Sequence, residues 1–457
     1  MRIGYSVPDA NQVAAIFPPM SGNPRARSLR HALADGVYAA GATASESYFS
    51  AFALHLQASV VQLALLTGVP QLLGSMAQLF SVWAWRRGRA RQGLLLAGVL
   101  AQAASLPLMA LLPWLFPAQA AACFIGCVVL YFAGHHFAVP QWQSLMGDLV
   151  PARRRGRYFA RRTRLSQVAS FLALAGFGLT LHAFQAQGWA RAGFVLLCLV
   201  AGGLRLASGW HLAQMRDPLP TPPPGAADTR WKPLSVPGYL HFVAFAALMA
   251  GSVAVASPFF SYLMLERLHF SYAEFMLNTS GFIVASWWVL PWWGRWSDRH
   301  GHARVLWLTT LVIPLLPLLW TLTSAVWVLF LLQALGGLLW SGYNLASTNT
   351  LYELLHGRHA GPYLAFHHIC MGVAMFAGAQ AGGWLVLHAP VVWPLPGGGS
   401  WDWGEGAYVA FAASALLRLL VAAAFLPGLT RRQPPRKPLP PAAVAEPEEA
   451  GAGSGTV

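Results

Sequence analysis

Glu46 is the residue whose surroundings make its chemistry unusual. It lies in an apolar run eleven residues after Asp35 (46 − 35), about 16 Å along a helix that rises ~1.5 Å per residue. A lone carboxylate in apolar surroundings is costly unless it faces a cavity, pairs with a partner or takes up a proton. Thr43, Glu46, Ser50 and Gln57 fall at offsets 0, 3, 7 and 14, which places them on one helical face. On that face Glu46 binds a proton or a cationic group of a solute. A structural hydrogen bond to a neighbouring helix is the plainer reading, and the spacing leaves both open.

Other polar positions recur at helical spacing. Thr67, Gln71, Ser75 and Gln78 form a second stripe, and His135-His136 precede Gln141 and Gln143. Asn278 and Ser286, then Trp340, Asn344 and Ser347, add neutral groups in the second half of the chain. Together they suit hydrogen bonding to a polar solute, with Trp288 and Trp340 as stacking walls. Any one of them taken singly is explained by interhelical hydrogen bonding.

Imidazoles such as His135 and His136 can relay protons. As neighbours on a helix they point ~100° apart, a poor chelate, and His367-His368 is expected at the end of its helix, far from mid-membrane. No metal site and no cofactor is expected. Arg205 and Arg418 lie inside apolar runs and are expected to snorkel to the nearer surface, contact with an anionic solute being the rival reading.

Several chemistries have no residues to carry them. Cys123, Cys127, Cys198 and Cys370 sit in apolar runs and read as packing. There is no Gly-x-x-x-x-Gly-Lys-Ser/Thr loop for ATP. Nor is there a cluster of acids, metal ligands or a nucleophile with its base, so the chain is not expected to be an enzyme. Trp401-Asp402-Trp403 and Glu405 read as an interfacial aromatic loop.

The elements that must position these residues follow from composition. The chain has 457 residues, 56% hydrophobic and only 10% charged, against about 25% charged in soluble proteins. Cutting at charges and prolines leaves twelve apolar runs near the ~20 residues that cross a bilayer. They cover 34–56, 60–84, 92–115, 119–147, 164–186 and 191–213, then 238–263, 272–296, 303–323, 325–350, 363–389 and 406–427. The fold class is an all-α polytopic membrane protein. Its parts are an N-terminal segment 1–33, a six-helix bundle 34–213, a proline-rich linker 214–237, a second bundle 238–427 and a tail 428–457 expected to be disordered.

The net charge of +15 does not imply nucleic acid, because its placement is topological. Arg86, Arg87, Arg89 and Arg91 form one cluster and the stretch from Arg153 to Arg164 another, while alternate loops carry only Arg191 and Arg267. Basic loops stay on the cytoplasmic side during insertion, so both termini are expected there. The first 32 residues hold no continuous apolar stretch and no cleavable signal peptide is expected.

The two halves repeat. At a shift of 205 residues Leu149, Arg153, Gly156, Tyr158 and Ala160 meet Leu354, Arg358, Gly361, Tyr363 and Ala365, and Asp148 meets Glu353. At a shift of 213, Arg205 meets Arg418 and Arg86-Arg87-Gly88 meets Arg299-His300-Gly301. Duplicated six-helix halves imply a pseudo-twofold axis with a pathway between them.

The loop Gly294-Arg295-Trp296-Ser297-Asp298-Arg299-His300-Gly301-His302-Ala303-Arg304 resembles the signature loop of the major facilitator superfamily. Gly294 is expected to let helices approach closely, Gly301 to allow the tight turn, and Asp298 to face Arg161, Arg162 and Arg164 across the two halves. The first copy departs from the pattern, with Trp85 where the acid belongs and Ser81 in place of the first glycine. Its charge lock is therefore expected to be compromised. The drug-exporter signatures are also missing: the fourth span has no Arg, and the fifth offers only Ala175-Gly176-Phe177-Gly178. Gly378, Gly382 and Gly383 read as close-packing positions.

The resemblance implies a twelve-helix secondary transporter that rocks its halves about a midplane site. The expected cavity or proton-coupling residues are Glu46, Thr43, Ser50, Gln71, His135, His136 and Asn344. The expected gating residues are Gly294, Asp298, Arg299, Gly301, Arg304, Asp148 and Glu353. Its partners would be the lipid bilayer, a small solute and protons, with no nucleic acid, and the chain acting as a monomer. Its 28 Arg against 2 Lys suggest a GC-rich genome and a bacterial cytoplasmic membrane. The alternative is a transport-inactive sensor or assembly factor on the same scaffold.

Overall fold

The computed structural model describes residues 24–151, 155–218, 236–355, 360–395 and 399–431. Parts of the expected N-terminal segment, linker and tail (1–23, 219–235 and 432–457) lie outside the described residues, as do Arg153 and Arg358 of the duplicated loop.

Twelve helices follow in chain order. α1 comprises Pro24–Thr43, a 3-10 turn Ala44–Tyr48 and Phe49–His55. α2 is Val60–Arg86, α3 Arg91–Leu115, α4 Ala120–Leu149, α5 Arg155–Ala186 and α6 Ala190–Ala213. In the second half α7 comprises Tyr239–Ala254, Ser257–Tyr262 and a π turn Leu263–Arg267. α8 is Tyr272–His300, and α9 comprises His302–Val312 and Leu315–Leu319. α10 is Val326–Leu354, α11 Ala360–His388 and α12 Gly406–Arg431. Between the last two, β1 (Val392–Leu395) and β2 (Gly399–Asp402) pair antiparallel, with Trp393 opposite Trp401.

Local chemistry sets the ends and breaks. Ser59 with Gln62 and Ser271 with Glu274 form capping boxes that start α2 and α8. Gly88 and Gly301 take φ of +87° and +91°, which a residue with a side chain adopts only at a cost. The turns after α2 and α8 are therefore tight. α1 breaks where Thr43 and Ser45 turn their hydroxyls back onto the carbonyls of Ala40 and Ala42, competing with the helical ladder. α1 also starts ten residues before the expected first span (34 − 24). Gln57 lies beyond the helix end, in a left-handed conformation at φ +61°. It therefore leaves the expected polar face, which is reduced to Thr43, Glu46 and Ser50.

Among the described residues, ten of the helices are long and apolar enough to cross a membrane. Their outward faces expose large apolar side chains such as Leu172 and Leu331. Lipid in place of water makes such a surface stable.

Packing repeats the duplication seen in the sequence. α1 lies against α5 and α6, α2 against α4, and α3 against α4 and α6. α7 lies against α11 and α12, α8 against α10, and α9 against α10 and α12. Adding six to each number of the first set gives the second. The bundles meet most extensively through α2 with α11 and α5 with α8, which the same operation exchanges, and α7 also touches α1 and α2.

The apolar cores decide how the bundles are joined. The largest cluster unites Phe52, Phe124 and Phe194 with Phe259, Phe275 and Phe411 of the other bundle. All of these lie toward the helix ends remote from the basic loops. Toward the basic loops the cores are separate. Leu95, Leu145 and Leu212 belong to a cluster of the first bundle, and Phe242, Trp293 and Tyr343 to one of the second. The halves thus share an apolar core on one face and keep separate apolar cores on the other.

Candidate functional site

Glu46 sits in the 3-10 turn of α1, at the edge of the shared core. The Tyr131 hydroxyl of α4 donates to its Oε1 at 2.8 Å. From there a row of polar groups runs through the first bundle toward the basic loops. Tyr131 adjoins Gln102 of α3, whose Oε1 accepts from Arg205 Nε at 2.7 Å. Arg205 Nη1 donates to Ser208 at 2.7 Å, and Ser208 donates to Asp35 Oδ1 at 2.8 Å. Arg162 Nη2 closes the row on Asp35 Oδ2 at 3.1 Å, with its guanidinium 4.3 Å over the Trp142 ring.

Arg205 therefore does not snorkel. It is 6% exposed and held inside the bundle by α1, α3 and α6. Arg418, its counterpart, is also buried. It makes no hydrogen bond or ion pair among the described residues, and its Nε is without an acceptor. The snorkelling expectation fails for both, because each side chain packs between helices rather than along lipid.

The other expected cavity residues are spread over both bundles. Thr43 and Ser50 are half-buried on either side of Glu46, and Gln71 is half-buried on α2, its carbonyl against Gly372 of α11. His135 lines a cavity of about 170 Å³ inside the first bundle, together with Asp35, Trp142, Arg162, Arg205 and Leu212. His136 packs on Gly74 at the middle of α2. Asn344 is exposed on α10. Trp288 is 84% exposed on the outer face beside Trp292 and is no wall of a pathway.

On the basic side, Asp148 and Glu353 end equivalent helices and each meets a base that begins the preceding helix of its bundle. Arg91 donates to Asp148 at 2.7 Å and to Ser144 at 2.8 Å, and also pairs with Asp217 just after α6. Arg91 is fully buried and stands at the shift of 213 from Arg304. The first-half loop, with Trp85 at the acid position, thus carries an ion-pair cluster of Arg91 with Asp148 and Asp217. In the second half Arg304 is exposed, and His302 Nε2 lies 3.2 Å from Glu353.

Asp298 and Arg299 are exposed at the end of α8. The carboxylate that Arg162 meets is Asp35, in its own bundle. Gly294 has open space where a Cβ would be, so the expectation of close helix approach there is wrong. Gly378 and Gly382 instead press against the Gly251 and Val255 carbonyls of α7, as their spacing suggested. Sequence reasoning missed Tyr131, Gln102, Ser208 and Asp217. The available signal was the presence of Gln102 and Arg205 inside apolar runs, where polar groups need partners.

Two related six-helix bundles share an apolar core on one face and keep separate apolar cores on the other. Residues 240–452 match the family model described as Major Facilitator Superfamily. No curated protein matches by sequence. Among solved structures the chain is similar to a bacterial homologue of the iron transporter ferroportin in an inward-facing state, with a TM-score of 0.66 and 14% identity over 89% of this chain and 99% of that one. It is similar to the D-xylose-proton symporter at 0.62 and 15%, over 89% and 98%. It is also similar to the nucleoside transporter NupG at 0.59 and 10%, over 90% and 100%. At such identities the likeness is one of fold. The second half matches the superfamily's model, and both halves adopt the fold of these solved transporters.

Proposed function

We propose that the protein is a secondary active transporter that moves a small solute across a bacterial cytoplasmic membrane by alternating access, coupled to protons through Glu46. The observation that carries this reading is the position of Glu46. It is the carboxylate at the break of α1, on the edge of the core shared by the bundles, and among the described residues its side chain is hydrogen-bonded by Tyr131. A carboxylate so placed can be neutral in one state and ionised in another at modest cost. A core shared on one face and separate cores on the other suit rocking about a midplane site. With the basic loops cytoplasmic, the face with separate cores opens inward. The solved proton symporter of the same fold lends support to proton coupling.

The test begins with thermal unfolding of the purified protein against pools of metabolites at two pH values. A ligand at 100 times its Kd stabilises by about 2.7 kcal/mol. A stabilising solute is then followed into liposomes. Glu46→Gln is expected to keep solute exchange and to lose accumulation driven by a pH gradient. Unchanged transport with unchanged pH dependence would reject Glu46 as the coupling group. No flux with any stabilising solute would favour a sensor role instead.

A further inference from the structure

The polar row in the first bundle has more guanidinium donors than it has acceptors for. Arg205 carries five N–H groups, of which Nε and Nη1 are used. Its Nη2 donates to no group among the described residues. Arg205 lines the cavity of about 170 Å³ together with Arg162, Asp35 and His135. Asp35 is already engaged by Ser208 and Arg162, so it does not satisfy the remaining donor.

Charge counting says what would fill the space. The row holds two cations, Arg162 and Arg205, and two carboxylates, Asp35 and Glu46. Glu46 and Arg205 belong to the one row, Glu46 held by Tyr131 and Arg205 by Gln102 beside it. With Glu46 ionised the row is neutral; with Glu46 protonated it carries a net positive charge inside the bundle. An uncompensated charge there is expensive, and a bound monoanion removes it. A dianion would leave the row negative.

We propose, resting on the assignment of Glu46 as the proton-coupling group, that this cavity is a binding site for a small monocarboxylate. It would sit beside Arg205 and Arg162 and load together with a proton on Glu46. The fork of a guanidinium matches a carboxylate in shape and charge. The cavity holds the equivalent of about five waters at ~30 Å³ each, and drug-sized ligands need roughly 300 Å³ or more. The solute is therefore one of a few carbons. The titratable and charged groups around the pair are Tyr131 and His135 from α4, Asp35 from α1 and Arg162 from α5. Ligand and proton enhance each other's binding by the same factor.

The experiment uses the full chain in detergent, in weak buffer with a pH indicator, titrated with sodium formate, acetate and lactate against sodium sulfate of equal ionic strength. The expected result is thermal stabilisation by monocarboxylates but not by sulfate, with uptake of close to one proton per chain. Apparent affinity should rise about tenfold per unit fall in pH while Glu46 is mostly ionised. Glu46→Gln should bind with no pH dependence and no proton uptake. Arg205→Lys, checked for a monodisperse fold, should bind at least tenfold more weakly.

Stabilisation without proton uptake would overturn the coupling, and the Glu46 assignment with it. If no monocarboxylate stabilises the wild type while Glu46→Gln still abolishes proton-driven flux, the anion site alone is overturned.

Discussion

Arg91 Nη1 lies 2.7 Å from Asp148, and a second acid, Asp217, shares the same guanidinium. This ties the start of α3 to the end of α4 and to the chain leaving α6. The equivalent corner of the second bundle is held by His302 and Glu353 at 3.2 Å. The two halves thus use one architecture with a permanent cation in the first and an imidazole in the second.

Removing the buried cation is expected to be severe. Arg91→Ala strands Asp217, whose side chain is 4% exposed, and should cost about 3–5 kcal/mol, as breaking a buried pair does. Asp148→Asn should cost about 1 kcal/mol or less, because that carboxylate is 41% exposed. Thermal melts of the two variants in detergent check the order. Equal losses would mean that Asp217 carries no load.

Glycines of the same sequence type should behave oppositely. A Cβ on Gly382 meets the Val255 carbonyl, while one on Gly294 meets nothing within 4 Å. Gly382→Ala should destabilise by roughly 1–3 kcal/mol through overpacking of α11 on α7. Gly294→Ala should be neutral or stabilise by up to about 1 kcal/mol through helix propensity. Melting temperatures decide both.

A crosslink on the joined face should stop transport. A Cβ on Gly383 of α11 would lie 3.1 Å from the Ala64 Cβ of α2, a few tenths below the usual disulfide separation of about 3.5–4.5 Å. The double variant Ala64→Cys, Gly383→Cys should lose flux on oxidation and regain it with reductant. Full flux in the oxidised protein would exclude parting of α2 from α11 during the cycle.

Acid should weaken the start of α1. Burial, then the neighbouring His211, Arg27 and Arg30, lower the pKa of His31, which precedes the expected first span. A base with a lowered folded pKa favours its neutral form, so its contribution is intact above the ordinary histidine value near 6.5. That contribution is lost as pH falls through this value toward the folded one. His31→Gln should flatten the stability profile between about pH 7.5 and 5.5, as read by melts across that range. An unchanged profile would assign the acid sensitivity elsewhere.

Much of the fold was legible because its signals are one-dimensional. The twelve apolar runs, the duplication at shifts of 205 and 213, and the turn glycines Gly88 and Gly301 depend on composition and spacing alone. Glu46 was legible as a lone acid in an apolar run. Its partners were not, since Tyr131, Gln102 and Arg205 are separated from it by 85, 56 and 159 positions (131 − 46, 102 − 46 and 205 − 46). The misreading of Gly294 and Trp288 has the same cause. Helical spacing says which residues share a face, but not whether that face meets a helix, a cavity or lipid.

By itself the sequence determined that this chain is a two-fold repeated membrane protein, because hydrophobic length and basic-loop placement answer to the bilayer and to no other part of the chain. The tertiary structure decided which charges are paired. Arg91 found acids on α4 and after α6, Arg205 was drawn inside rather than to the surface, and Arg418 was left without a partner among the described residues. An ion pair or a hydrogen bond is a matter of a few ångströms between helices, and only the packing of those helices fixes that distance.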